Sequence, residues 1–352
     1  MKVLDLFCGS GGISEGFKLA GFKIVGGVDF DADSIKTFSH NFPSAVAICG
    51  NLLEFSEKKI KEDFGDLAVD VIVGGPPCQG FSNANRWQGE SKDPRNKLFY
   101  EYLRFVKVLQ PKVVVIENVR GILTKDKGYA KTRILQLIEN LGYVVSCEVL
   151  NASDYGVPQN RYRAFFVAIR SDSVQSAFDF SSLKKKEKVT VKDAIGELYK
   201  FEKNRDEIRI TTEPESAYRK YLRSRKGIVK NHEVNYPAEL TQKRISHVPQ
   251  GGNWVDIPSS LFSNQRNNRH SSAFKRLSEK DCSVTIDTGN AHSNYFHPKY
   301  NRIPTVREAA RLQSFSDEFE FIGTRSSQYR QVGNAVPPLL AKAIAMQLKR
   351  FL

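Results

Sequence analysis

The sequence predicts an α/β protein: a doubly wound, mainly parallel sheet joined to a second, smaller domain. Three observations carry this. Short apolar runs alternate with helix-period segments through residues 1–170, a glycine turn follows the first run, and the alternation fades after Ser171. The 352 residues suffice for roughly two domains with cores of their own. Apolar residues at 40% and charged residues at 26% exclude wholesale disorder.

In chain order, the first strand is expected at residues 2–7, where KVLDLF runs directly into CGSGG, and a helix at 13–19. A second strand at 23–28 precedes a helix at 32–41, and a third strand lies at 69–73. A helix at 98–109, a strand at 113–116 and a helix at 131–141 follow. Strands at 144–149 and 164–169 close the series. Lys184, Lys185 and Lys186, after Ser181 and Ser182, read as a linker or an exposed crossing. Residues 200–300 are rich in Asn, Ser, Arg and Gly with short apolar pieces, as in a small irregular domain. Helical periodicity returns after Thr305 through Val306, Ala309, Ala310 and Leu312, and 339–352 forms a final amphipathic helix. The expected divisions are 1–185, 186–300 and 301–352.

The net charge of +14 leans towards a polyanionic partner. Residues 181–300 hold 23 Lys/Arg against 14 Asp/Glu, a net +9, with five of the six histidines. That bias fits a solvated basic surface or a nucleic-acid-facing domain. Asn264, Gln265, Arg266, Asn267, Asn268, Arg269 and His270 favour the second, being side chains suited to base edges and phosphates. The cysteines at 8, 49, 78, 147 and 282 are odd in number and lack metal-type pairs, so reduced thiols and no metal site are expected. No apolar run approaches the roughly 20 residues of a membrane span, and no signal peptide is evident.

Glycines after the first strand let the backbone turn tightly and approach a ligand. The spacing is not the dinucleotide fingerprint, because Ser14 stands at the third glycine position. Asp29 closes the second strand, 20 residues after Gly9, where an acid can accept hydrogen bonds from ribose hydroxyls; a tight turn with a surface Asp is the alternative. Phe30 can stack on an adenine or simply pack.

VIVGGPPCQGFS places Cys78 just past a buried strand, in a loop stiffened by Pro76 and Pro77. PKVVVIENV puts Glu117 at the carboxyl end of the next strand. In a parallel sheet both ends open on the edge where ligands bind, so one thiol and one acid approach one crevice. A thiolate is a strong nucleophile, and a nearby acid can protonate the electrophile that it attacks.

Pro76-Pro77-Cys78-Gln79, Glu117-Asn118-Val119 and Gln159-Asn160-Arg161-Tyr162-Arg163, in this order, resemble the DNA (cytosine-5-)methyltransferases of prokaryotic restriction-modification type. Asp5 to Gly12 is similar to that family's S-adenosylmethionine loop. Arg307 to Phe315 and Gln331 to Pro338 are similar to its two C-terminal motifs.

The resemblance implies a Rossmann-like S-adenosylmethionine-dependent methyltransferase sheet in 1–185, a target-recognition domain in 186–300, and a C-terminal segment, 301–352, returning to the catalytic domain. Cys78 would add to the 6-carbon of cytosine, and Glu117 would hold and protonate ring nitrogen 3. Arg163 would contact the 2-oxygen with Arg161 as its partner; Arg161 could instead pair with an acid to hold a loop. Phe7, Gly9, Gly11, Asp29, Phe30, Pro77 and Leu98 would line the cofactor, although Leu98 also suits core packing. Asn51 stands where the family commonly has Asp; its amide oxygen can still accept from the adenine amine. Asn334 and Ala335 would close the cofactor site. Arg307 and Glu308 are expected to be structural, and Ser316 departs from the family's Pro.

The substrate implied is double-stranded DNA, with the target base flipped out at a cost of roughly a few kcal/mol. Arg86, in a loop that would close over the base, and Arg266, Asn267 and Arg269 are the candidate DNA contacts. A monomeric protein of the prokaryotic cytoplasm is expected, with room for functional pairing with a restriction endonuclease. Two rivals are a tRNA-methylating branch, whose Cys-Phe-Thr tripeptide is absent here, and a catalytically silent DNA-binding regulator, which would usually lose the thiol or the cofactor loop.

Overall fold

The computed structural model describes residues 1–77, 96–172, 176–202, 206–262, 274–288 and 295–352. The chain divides into two compact units: Met1–Asn151, Tyr162–Lys185 and Pro338–Leu352 in the first, Ala152–Arg161 and Lys186–Pro337 in the second.

The first unit begins with β1 (Lys2–Leu6), α1 (Gly12–Leu19), β2 (Lys23–Asp29), α2 (Ala32–Asn41), β3 (Val46–Cys49) and α3 (Glu57–Phe64). It continues with β4 (Val71–Gly74), α4 (Lys97–Leu109), β5 (Val113–Val119), α5 (Tyr129–Glu139), β6 (Tyr143–Asn151) and β7 (Tyr162–Arg170). These seven strands form one sheet in the order β3-β2-β1-β4-β5-β7-β6. β1 to β5 are parallel, while β7 runs antiparallel to both neighbours. The order reverses between β1 and β4, so the crevice at their carboxyl ends is the place where an open α/β sheet takes its ligand.

Strand alternation sorts the side chains between the two faces. Leu4, Leu6, Ile72, Val114 and Ile116 join the core formed with α3, α4 and α5. There Phe105 lies 5.4 Å from the Phe55 ring and 6.0 Å from that of Phe64, and truncating such a ring costs about 3–5 kcal/mol. Asp5 points to the other face, where Ser14 of α1 donates to its carboxylate at 2.7 Å.

β3 and α3 go beyond the elements that the sequence predicts. β3 is a four-residue edge strand, and α3 (EKKIKEDF) buries only Ile60 and Phe64, one turn apart, so its apolar stripe is almost hidden among charges.

The second unit contains α6 (Val191–Ile195), β8 (Ile208–Arg209), α7 (Ala217–Leu222), β9 (Ile228–Val229) and α8 (Glu239–Ser246). It then has β10 (Lys275–Arg276), β11 (Tyr295–Phe296), α9 (Val306–Leu312) and α10 (Arg325–Asn334); α11 (Pro338–Leu348) belongs to the first unit and packs on α1. Residues 301–337 therefore group with the second unit, and only the final helix and its tail group with the first. The physical reason is α9, every residue of which is buried around an internal charge network. Arg302 donates to Glu308 at 2.7 Å, and Arg311 to Asp317 at 2.6 Å and to Glu197 at 2.8 Å. Burial works to raise the Glu308 pKa, but Arg302 and His297 hold it well below the ordinary range. Arg307 and Glu308 are thus internal, as expected of structural residues. Among the described residues, no helix is long and apolar enough to cross a membrane.

Candidate active site

The turn after β1 is built on left-handed backbone at Phe7 (φ 61°), Gly9 (φ 51°) and Gly11 (φ 98°). Phe7 is the unusual member, since a bulky side chain pays a steric penalty there and tight surroundings must hold it. Glycine is required at Gly11, where a Cβ would stand 2.5 Å from the Phe42 ring. Asp29, at the end of β2, locks the turn: its carboxylate accepts from the Gly9 amide and from the Asp31 amide, both at 2.9 Å. Burial raises the Asp29 pKa, and those amides oppose the rise.

Beside this turn lies a cavity of about 260 Å³ lined by Phe7, Phe30, Gly50, Asn51, Leu52 and Leu98. Phe30 is 75% exposed, an aromatic face left in solvent at the cavity. An apolar slot with an exposed ring and a neighbouring carboxylate suits an adenosine: a ring surface for the purine and an acceptor for ribose hydroxyls. The residues present therefore fit S-adenosylmethionine. Asn51 carries a detail that the sequence hides: its side-chain oxygen accepts from the Leu53 amide at 3.1 Å. Gly50 and Leu52 also line the cavity without any motif of their own.

Glu117 sits near the carboxyl end of β5, and Arg163, near the start of β7, places its Nε 2.9 Å from Glu117 Oε1. The register aligns Val119 with Arg163 and Glu117 with Phe165, so acid and guanidinium share one face of the sheet. Gly75 packs closely on the same carboxylate, since a Cβ there would lie 3.1 Å from Glu117 Oε2. Asn118 donates to the Pro76 carbonyl at 2.9 Å and so ties the proline loop to the strand that bears Glu117. Gly75 and Asn118 have no chemistry of their own that would single them out in the sequence; their spacing beside Pro76 and Glu117 is the only signal. Pro77 is half-buried.

Arg161 has two sequence readings, a partner of Arg163 at the base or a residue that holds a loop. It is fully buried in the second unit and donates to the Ile286 and Gly333 carbonyls, both at 2.9 Å. Its two terminal nitrogens each hold a carbonyl, which makes the guanidinium a brace. Gln159 is equally internal, donating to Gln313 and accepting from the Ile286 amide. Asn334 ends α10 and Ala335 follows it, both in the second unit. Cys78, Arg86, Arg266, Asn267 and Arg269 lie outside the described residues. The histidines of the basic region are partly internal: His232 and His297 are buried, and burial pushes both pKa values down.

A seven-stranded sheet with a reversed β7 and an adenosine-sized cleft after β1 defines the S-adenosylmethionine-dependent methyltransferases. The description of C-5 cytosine-specific DNA methylases matches residues 1–350. Type II methyltransferase M1.HphI of Haemophilus parahaemolyticus is 39% identical, covering 98% of this chain and 86% of that protein. Type II methyltransferase M.DdeI of Desulfomicrobium norvegicum is 36% identical, covering 99% of this chain and 88% of the relative. A crystal structure of an E. coli prophage protein described as a DNA modification methyltransferase superposes with a TM-score of 0.79 at 27% identity, covering 100% of this chain and 99% of that one. The chain belongs to the C-5 cytosine-specific DNA methylase family. It is a DNA (cytosine-5-)methyltransferase that acts on DNA with S-adenosylmethionine as methyl donor.

Proposed function

We propose that the transfer proceeds on a cytosine flipped out of the duplex, with Cys78 as the nucleophile and Glu117 as the group that meets ring nitrogen 3. The observation that carries this reading is the Glu117–Arg163 pair. Arg163 pairs with Oε1 at 2.9 Å and so holds the carboxyl group that would meet the ring. Cys78 follows in the sequence the Pro76-Pro77 pair, whose Pro76 carbonyl accepts from Asn118, the residue next to Glu117.

The chemistry then balances. The Cys78 thiolate forms a bond to the 6-carbon, and the electron pair displaced towards nitrogen 3 is met by a proton from the acid form of Glu117. Arg163 stabilises charge on the 2-oxygen of the same ring. S-adenosylmethionine, when bound, would supply an electrophilic sulfonium methyl to the 5-carbon made nucleophilic by the thiol adduct, leaving as S-adenosylhomocysteine. Removal of the 5-proton by a base expels the Cys78 thiolate, and nitrogen 3 returns its proton to Glu117, which restores the neutral aromatic ring.

Arg161 is read as a positioning residue rather than a contact to the base. Phe7, Gly9, Gly11, Asp29, Phe30, Asn51, Pro77 and Leu98 would hold the cofactor, with Asn334 and Ala335 completing its site. Residues 186–300 would read the DNA, with Arg266, Asn267 and Arg269 among the contacts and Arg86 on the strand next to the target. The protein would act as a monomer in a prokaryotic cytoplasm and could pair with a restriction endonuclease.

Cys78→Ser and Glu117→Gln test the assignment with labelled S-adenosylmethionine and phage DNA. Cys78→Ser is expected to abolish transfer while DNA binding persists. Glu117→Gln is expected to slow kcat by about 10²–10⁴ while binding of S-adenosylhomocysteine changes little. Turnover retained by Cys78→Ser, or equal losses of rate and cofactor binding in Glu117→Gln, contradicts it.

A further inference from the structure

The rim next to the Glu117–Arg163 pair carries three exposed side chains that the chemistry above does not use. Val119, the last residue of β5, is 59% exposed, and Tyr162, the first residue of β7, is 42% exposed. Arg120 leaves β5 directly after Val119, and its guanidinium carbon lies 5.5 Å from the Tyr162 ring centroid. No ion pair joins Arg120 to a carboxylate among the described residues. Arg120 and Tyr162 thus flank the Glu117–Arg163 pair along the chain, Arg120 three residues beyond Glu117 and Tyr162 immediately before Arg163.

A guanidinium resting on an aromatic face is held in orientation without using its in-plane N–H groups. Those groups form a fork that matches the spacing of two phosphate oxygens. An ion-paired arginine would have its fork occupied, and a solvated lysine would have no fixed direction. The register pairs Val119 with Arg163, so Tyr162, one residue earlier on β7, and the Arg120 seated on it lie at the same end of β5 and β7 but on the opposite face from Glu117 and Arg163.

We propose that Arg120, seated on Tyr162, binds a backbone phosphate of the DNA strand that carries the target cytosine. The inference rests on the DNA-methylating reading above and adds to it a substrate contact at the sheet edge. It requires no new element of sequence reading, because a phosphate contact positions the strand whatever the bases.

The test compares wild type, Arg120→Gln, Arg120→Lys and Tyr162→Leu in methylation of phage DNA across a series of salt concentrations. Arg120→Gln is expected to raise KM for DNA roughly tenfold near physiological salt, with the loss falling on KM rather than on kcat. Its log–log salt slope should be shallower by about 0.9, the share of one phosphate. Arg120→Lys should restore the slope but only part of the affinity, because an ammonium lacks the fork. Tyr162→Leu should weaken binding with the slope kept. S-adenosylhomocysteine binding equal to that of wild type establishes that each variant is folded. A salt slope unchanged in folded Arg120→Gln, or not restored by Arg120→Lys, overturns the proposal. A wild-type protein that methylates no DNA overturns the underlying reading instead.

Discussion

Asn51 commits its side-chain oxygen to the Leu53 amide, which leaves one lone pair on that oxygen and a nitrogen that only donates. A purine amine entering the cavity is also a donor, so it has only the remaining lone pair of this already engaged oxygen to use. Asn51→Asp would keep the cap on Leu53 and supply a second full acceptor. Its expected effect is tighter S-adenosylhomocysteine binding by roughly five- to tenfold, about 1 kcal/mol, read by titration calorimetry. Unchanged or weaker binding would show that Asn51 does not meet the adenine amine. The position of this residue is legible from the family resemblance, whereas the direction of its amide depends on the short helical turn at Leu52–Glu54 and is not. Arg161 teaches the same distinction. The motif places two arginines two residues apart, and only the folded chain reveals that one lies on Glu117 and the other on the carbonyls of Ile286 and Gly333.

At the scale of elements, strand β1 and helix α1 are joined by the buried Asp5–Ser14 bond. Burial pushes the Asp5 carboxyl from its ordinary 3.8 up to about 7, with the Ser14 hydroxyl opposing and Asp29 adding to the rise. The folded state therefore favours the acid form. Stability from this group is complete below pH 3.8, declines as pH rises and is lost beyond about 7. Asp5→Asn mimics the neutral form and still accepts from Ser14. It is expected to stabilise the protein by roughly a few kcal/mol at pH 8, with a smaller gain at pH 5.5, in denaturant titrations. A gain independent of pH would contradict a buried, protonated Asp5. β1, α1, β2, α2, β4, α4 and β5 are readable because each combines a clear period with turn residues at its ends. β3 and α3 are not, since a short edge strand and a helix with two buried residues leave little apolar pattern. The reversal of β7 also escapes the sequence, because its apolar run, like those of the parallel strands, is buried on both faces.

For the whole molecule, the six ordered motifs carry more than composition does. The +14 charge points to a polyanion, yet part of the second unit's cationic content is internal: Arg219, Arg302, Arg307 and Arg311 are buried. Opposing charges compensate Arg302 and Arg311, and removing one partner of such a buried pair costs about 3–5 kcal/mol. Their pattern in sequence is simply that of a polar helix, so their burial and the grouping of 301–337 with the second unit emerge only from the fold. The most direct measurement is bisulfite sequencing of unmethylated phage DNA after incubation with the protein and S-adenosylmethionine. The expected result is 5-methylcytosine confined to one short sequence motif. Label transferred to tRNA but not to DNA, or no transfer despite tight DNA binding, would contradict the assignment of this chain as a DNA (cytosine-5-)methyltransferase.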